Sequence, residues 1–282
     1  MKTTTIRPAS IVVGADGSKH AARAIAWAAQ QAALERRQLV VLTVDEGAAR
    51  RHNTEAVQLA REIAPDIDVI GLAASDDPRG LLVELSHDAH LLVVGSRGRG
   101  AVRSMLLGSV SATVSRLSSC PVVVCRPRAE VHQGKGVLVG VDGTESSIAV
   151  LDFAFAHASL RHQPLTVVHC VWDVIAAVAG LRDVRVKDVD LGPEDEAHLL
   201  LAETVAGYAE KYPDVPVTLR VTHGLVDEVL GSHTAAWDLV VVGRHPPDTV
   251  GRIVTGSIAT AVVERARTTV AVIPEPTVVL PS

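Results

Sequence analysis

Gly95-Ser-Arg-Gly98, followed after nine residues by Gly108-Ser109, is spaced as a cradle for an anion, and the apolar run Leu91-Leu-Val-Val94 leads directly into it. Four apolar residues ending in glycine read as a buried strand entering a turn. Ser109 is a favourable helix N-cap, and Val110, Val114 and Leu117 follow it at helical spacing. Glycine lets the backbone approach a phosphate closely, and the first N–H groups of a helix point at it. A helix end favours an anion by about 0.3–1 kcal/mol, and by up to ~2 kcal/mol where sheltered. Several such donors acting together can hold a triphosphate without a lysine. The same glycines would also serve a connection that needs them only for turning.

The elements that must position this corner occur twice. Ile11-Val-Val-Gly14-Ala-Asp16-Gly-Ser18 returns as Val137-Leu-Val-Gly140-Val-Asp142-Gly-Thr144, an offset of 126 residues. Leu91-Leu-Val-Val-Gly95 returns as Leu239-Val-Val-Val-Gly243, and Gly108-Ser109-Val110 as Gly256-Ser257-Ile258, both offset by 148. Two blocks in the same order, with 22 extra residues between them in the second copy, describe a duplicated domain. We place the domains at 1–130 and 135–282, with the boundary between Pro127 and Gly136. In the first, strands are expected near 10–14, 39–44, 67–72, 91–95 and 121–125, and helices near 18–36, 53–63, 78–88 and 109–118. In the second, strands are expected near 137–141, 165–170, 215–221, 239–243 and 269–273, and helices near 145–161, 194–211, 225–235 and 257–265. The tail segment Val278-Val-Leu280 is read as one more strand. Alternation of this kind predicts an α/β fold with a parallel sheet covered by helices on both faces. Ligands of such sheets sit beyond the carboxyl ends of the strands, where the strand order reverses. Asp16, Asp142 and both Gly-Ser corners fall at such ends.

Composition excludes several classes. The 282 residues are 48% hydrophobic, enough for two cores, yet apolar runs are too short for a membrane span, and the start lacks the apolar stretch of a signal peptide. A net charge of −5 and only 2% aromatic residues argue against nucleic-acid partners. Cysteine is sparse and odd in number (Cys120, Cys125 and Cys170), and the spacing of Cys120 and Cys125 suits neither a disulfide nor a zinc knuckle, so reduced thiols in a cytoplasmic protein are expected. His87, His90 and His198 read as surface or boundary residues, and Trp27 and Phe153 as core. The charged run 182–190 reads as a solvated loop. No Gly-x-x-x-x-Gly-Lys-Ser/Thr loop and no Gly-x-Ser-x-Gly elbow is present, so no dedicated catalytic apparatus is expected.

With Val-Val-Gly14-Ala-Asp16-Gly-Ser, Leu-Thr-Val44-Asp45 and the Gly95…Gly98…Gly108-Ser109 signature in place, the chain resembles the universal stress protein family, in its tandem-domain form and nucleotide-binding branch. The resemblance covers nearly the whole chain, once per copy. It implies two Rossmann-like domains of the adenine nucleotide alpha hydrolase-like kind, each a five-stranded parallel sheet of order 3-2-1-4-5 with helices on both faces. It implies ATP as ligand, with magnesium as an optional companion and no catalytic residue. In the first domain Gly14 and Asp16 would lie against the nucleoside, with the Val44 backbone on adenine. Gly95, Arg97, Gly98, Arg99, Gly100, Gly108, Ser109 and Val110 would surround ribose and phosphates, and Arg103 offers further positive charge. The implied role is a cytoplasmic, nucleotide-responsive regulator in the stress response. A slow ATPase using the same pocket, or a nucleotide-free interaction scaffold, are the alternatives.

The second copy keeps Gly140, Asp142, Gly243, Arg244, Gly256, Ser257 and Ile258, with Cys170 in the place of Val44. It departs at the position matching Gly98, where Pro246 stands, followed by Pro247. Proline has no N–H and fixes φ near −65°, so a corner that needs a donor or a positive φ is lost there. The first site is therefore expected to bind ATP and the second to be weaker or lost. The last strands, 121–125 and 269–273, are apolar enough to pair within the chain as a pseudo-dimer. A homodimer of whole chains, and the identity of any protein partner, are left open.

Overall fold

The computed structural model describes residues 6–44, 49–99, 107–127, 134–171, 196–232, 234–244 and 258–275. Its strands are short apolar runs, buried in the middle of each sheet and partly exposed in the edge strand Val69–Ala74. In the first repeat these are β1 (Ile11–Gly14), β2 (Leu39–Val44), β3 (Val69–Ala74), β4 (Leu91–Gly95) and β5 (Val122–Cys125). Apolar side chains on both sides of β1, β2 and β4 are buried, which requires a helical layer on each face. Four helices supply it: α1 (Lys19–Glu35), α2 (Ala49–Ile63), α3 (Pro78–Leu85) and α4 (Ser109–Leu117). All neighbouring strands are parallel, in the order β3-β2-β1-β4-β5. The strand order reverses between β1 and β4, so a crevice opens there at the carboxyl edge.

Local chemistry explains the element ends. The Ser18 hydroxyl accepts the Ala21 N–H at 3.1 Å and caps α1. Buried Ala21, Ala24, Ala28, Ala29 and Ala32 then let α1 lie close on the sheet. α2 is anchored by Asn53, whose amide donates to the carbonyls of Val41 at 2.8 Å and Leu72 at 3.2 Å. α2 begins at Ala49, four residues earlier than the apolar pattern places it. α4 also departs from expectation: Gly108 is its N-cap and Ser109 its first helical residue. Gly108 has no side chain to cap with, and its own N–H donates to the Ser96 carbonyl at 2.8 Å.

The second repeat contains β6 (Val137–Val141), α5 (Ser147–Leu160), β7 (Leu165–Val171), α6 (Glu196–Lys211), β8 (Val217–His223), β9 (Leu239–Arg244), α7 (Ile258–Arg265) and β10 (Thr269–Pro274). Its sheet is also parallel throughout, in the order β8-β7-β6-β9-β10, which is the order of the first repeat. The α-helix expected over 225–235 does not form as one. A π-helical turn (Glu228–Ser232) and a 3₁₀ turn (Thr234–Ala236) replace it. The buried Thr234 hydroxyl donates to the Gly231 carbonyl at 2.7 Å and accepts the Arg267 N–H at 3.0 Å, which pins this irregular segment beside α7. Phe155 fills the core and stacks on Tyr208 at 4.7 Å, whereas Phe153 and Trp27, expected in the core, are only half-buried. The run 182–190 and the segment 278–280 lie outside the described residues. The chain divides into two compact units, Met1–Pro127 and Arg128–Ser282.

Candidate functional site

At the carboxyl edge of the first sheet, the ends of β1, β2 and β4 and the heads of α3 and α4 enclose a cavity of about 400 Å³. β1 contributes Gly14 and leads into Asp16; β2 contributes Val44. Gly95 ends β4, Arg97, Gly98 and Arg99 follow it, and Gly108, Ser109 and Val110 open α4. These are the site residues expected from sequence, drawn from segments up to 96 positions apart (Gly14 to Val110). Gly100 and Arg103 lie outside the described residues. Sequence reasoning missed Ala15, Ala21, Leu42, Pro78, Leu82, Val94 and Ser111 on the same walls. Pro78 carried a readable signal, since Asp77-Pro78 is a helix-start pair, and Asp77 accepts the Arg79 N–H at 3.2 Å as an N-cap.

The loop after β4 is tied at three points. Gly108 N–H reaches Ser96, and the buried Ser111 hydroxyl donates to the carbonyls of Gly95 at 3.0 Å and Ser96 at 3.3 Å. Asp16 holds the segment that leaves β4: one carboxylate oxygen accepts the Ser18 N–H at 3.0 Å, and the other accepts the Arg99 N–H at 2.8 Å. Gly98 is not among the described glycines with positive φ, which include Gly17 and Gly143 at +77° in the matching turns of the two repeats. Space is what Gly98 supplies: a Cβ there would stand 2.8 Å from the Asp16 oxygen that Arg99 uses. Gly95 is needed for a similar reason, because a Cβ would meet the His20 backbone at 2.8 Å. The first helical bond of α4 runs from Ala112 N–H to the Gly108 carbonyl, so the amides of Ser109, Val110 and Ser111 precede it at the cavity wall. The site thus combines an apolar slot from Leu42, Val44, Pro78, Leu82 and Val94 with a polar end of backbone amides, a carboxylate and two guanidinium groups. Among the described residues no cluster of three His, Cys, Asp or Glu side chains is placed to hold a metal ion.

The second repeat has the same frame with different contents. At Gly14 a Cβ would find Leu82 at an ordinary 3.6 Å, but at Gly140 the matching Leu230, 1% exposed, already occupies that space. Asp142 ties its own turn: one oxygen accepts the Thr144 N–H at 3.1 Å, the Thr144 hydroxyl at 2.7 Å and the Ser147 hydroxyl at 2.8 Å. Cys170 is half-buried at the end of β7, and burial pushes its thiol up to about 12. Gly243 and Arg244 end β9, and Ile258 opens α7. Pro246, Pro247, Gly256 and Ser257 lie outside the described residues.

Comparison with known proteins agrees with this architecture. The sequence profile described as "Universal stress protein family" matches residues 44–126 and 135–274. A universal stress protein of Mycobacterium tuberculosis is 35% identical, over 93% of this chain and 96% of its own. The crystal structure of a universal stress protein from Archaeoglobus fulgidus superposes with a TM-score of 0.66 at 17% identity, covering 95% of this chain and 97% of that one. A universal stress protein crystallised in complex with cAMP is 34% identical, covering 42% of this chain and 97% of its own, with a TM-score of 0.37. The chain accordingly belongs to the universal stress protein family and carries the family's domain twice.

Proposed function

We propose that the first repeat binds ATP and that the protein acts as a cytoplasmic, nucleotide-responsive regulator in the stress response. The observation that carries the reading is the convergence on one cavity of an apolar slot, the Asp16 carboxylate and a glycine loop ending in a helix head. A volume of about 400 Å³ falls within the ~300–1,000 Å³ common for small-ligand sites. Adenine enters the slot between Leu42 and Leu82, where the Val44 backbone reads its edge. Asp16 accepts bonds from the ribose hydroxyls. The amides at Gly98, Ser109 and Val110, with Arg97 and Arg99, receive the phosphates. Magnesium, where present, accompanies the phosphates. Nucleotide shifts the protein toward whichever conformation binds it better, and that difference in affinity is the signal.

The second repeat is proposed to bind nucleotide weakly or not at all. Leu230 takes the space beside Gly140, and the sequence puts Pro246 where Gly98 stands. Mass spectrometry of the purified protein, followed by calorimetry with ATP in the presence and absence of magnesium, tests both statements. The expected result is an adenine nucleotide bound at one per chain. Two equal sites refute the asymmetry, and a protein that neither carries nor binds adenine nucleotide refutes the function.

A further inference from the structure

We infer that binding of a polyphosphate in the first repeat is coupled to uptake of a proton by His20, so that nucleotide affinity rises as the medium acidifies. The inference rests on the function proposed above and adds its regulation. His20 is the second residue of α1 and stands directly behind the cavity wall. Gly95, which lines the cavity, has no room for a side chain because the His20 backbone and Cβ fill it at 2.8–2.9 Å. On the same side the Ser96 hydroxyl lies 3.4 Å from the His20 Nδ1. Ser96 is also the residue whose carbonyl holds Gly108 and Ser111, so His20 touches the knot that shapes the phosphate corner.

The charged groups facing His20 come from every element around it. Arg23 lies one turn further along α1, Arg97 follows β4, Arg126 follows β5, and Asp16 follows β1. Burial, then Arg23 and Arg97, hold the imidazole below its usual value; Asp16 pulls the other way, and Arg126 adds to the lowering. His20 is therefore largely uncharged near neutral pH. Arg97 lines the cavity, so phosphates placed there bring several negative charges against the same guanidinium that repels the imidazolium. Their field favours the protonated ring. The sign follows: His20 has a lower value in the protein alone than in the complex. Binding takes up a proton between those two values, and affinity climbs as pH falls through the upper one. One linked proton changes affinity by at most about tenfold per pH unit.

Calorimetric titration of the whole chain with ATP, in buffers of different ionisation enthalpy at a pH near the histidine range of about 5–8, counts the proton directly. The nucleotide's own phosphate titration is common to wild type and His20→Gln and cancels in the difference. The wild type should take up as much as one more proton than the variant, with a steeper rise of affinity toward acid pH. A second measurement needs no variant: the His20 ring signal, followed by NMR, should titrate at higher pH with ATP bound than without. Equal proton counts in the two proteins, or a His20 midpoint that ATP leaves in place, overturn the coupling while leaving the proposed function standing. Absence of any ATP binding overturns both.

Discussion

Replacing Gly98 by alanine isolates one contact of the candidate site. The added methyl would stand 2.8 Å from an Asp16 carboxylate oxygen, closer than carbon and oxygen tolerate, so the carboxylate or the loop must shift. That oxygen is the acceptor for the Arg99 N–H at 2.8 Å. Hydrogen bonds to charged groups contribute about 1.5–3 kcal/mol when sheltered. This one is exposed, and screening by water reduces it to about 1 kcal/mol. Arg99 loses its tether to Asp16, and a loss of that size carried into ligand binding corresponds to about fivefold in affinity. Urea unfolding and ATP calorimetry on wild type, Gly98→Ala, Asp16→Ala and the double variant measure the effect. In the double variant the alanine at 98 should cost nothing, because its clashing partner is gone. Additive penalties within about 0.3–0.5 kcal/mol would show that the two residues do not act through each other, and would refute the reasoning.

Gly95→Ala should be more damaging than Gly98→Ala, since its methyl meets the His20 backbone rather than the end of a side chain; a loss of about 1–3 kcal/mol in urea unfolding is expected. Leu230→Ala removes a buried side chain packed on Gly140 and should cost about 2–5 kcal/mol of stability; a cost well below 1 kcal/mol in chemical unfolding would contradict that packing. Burial alone would raise the Glu35 carboxyl, but hydrogen bonds from His90, Gln31 and Arg37 outweigh it and hold the group below its usual value. Its contribution to stability is thus present above the ordinary carboxylate range and fades as pH falls through the lowered value, a slope that denaturation curves of Glu35→Gln should lack. The Cys170 thiol, pushed up to about 12 by burial, should resist iodoacetamide at pH 8.5 in the folded protein and react promptly after unfolding, as mass spectrometry of the alkylated peptide can follow.

Much of this architecture was legible because it is encoded locally. The runs Ile11–Val13, Leu39–Leu42 and Leu91–Val94 are short, continuous apolar runs rich in valine, the pattern of strands buried on both faces. Ser18 declared the start of α1 by its own hydroxyl. β3 and β8 begin two residues later than their apolar patterns suggested, at Val69 and Val217. The expected helix over 225–235 failed for a different reason. Its apolar spacing was compatible with an α-helix, but Thr234 and α7 secure a π-helical turn through contacts that no window of neighbouring residues reveals.

The same division runs through the candidate site. The types and spacing of Gly14, Asp16, Gly95, Gly98, Gly108 and Ser109 were enough to name one wall of the cavity, because glycine, carboxylate and helix start each have a narrow chemical use. The sequence by itself determined the repeat, the strand–helix order and the place of the first corner's glycines between a strand end and a helix start. Only the tertiary structure decided that Gly98 serves space rather than a positive φ, that α3 closes the apolar slot, and that Leu230 fills in the second repeat the room left open beside Gly14. Backbone preference and hydrophobic pattern act between near neighbours, whereas these distances are set where segments far apart in the chain come to share the same few ångströms.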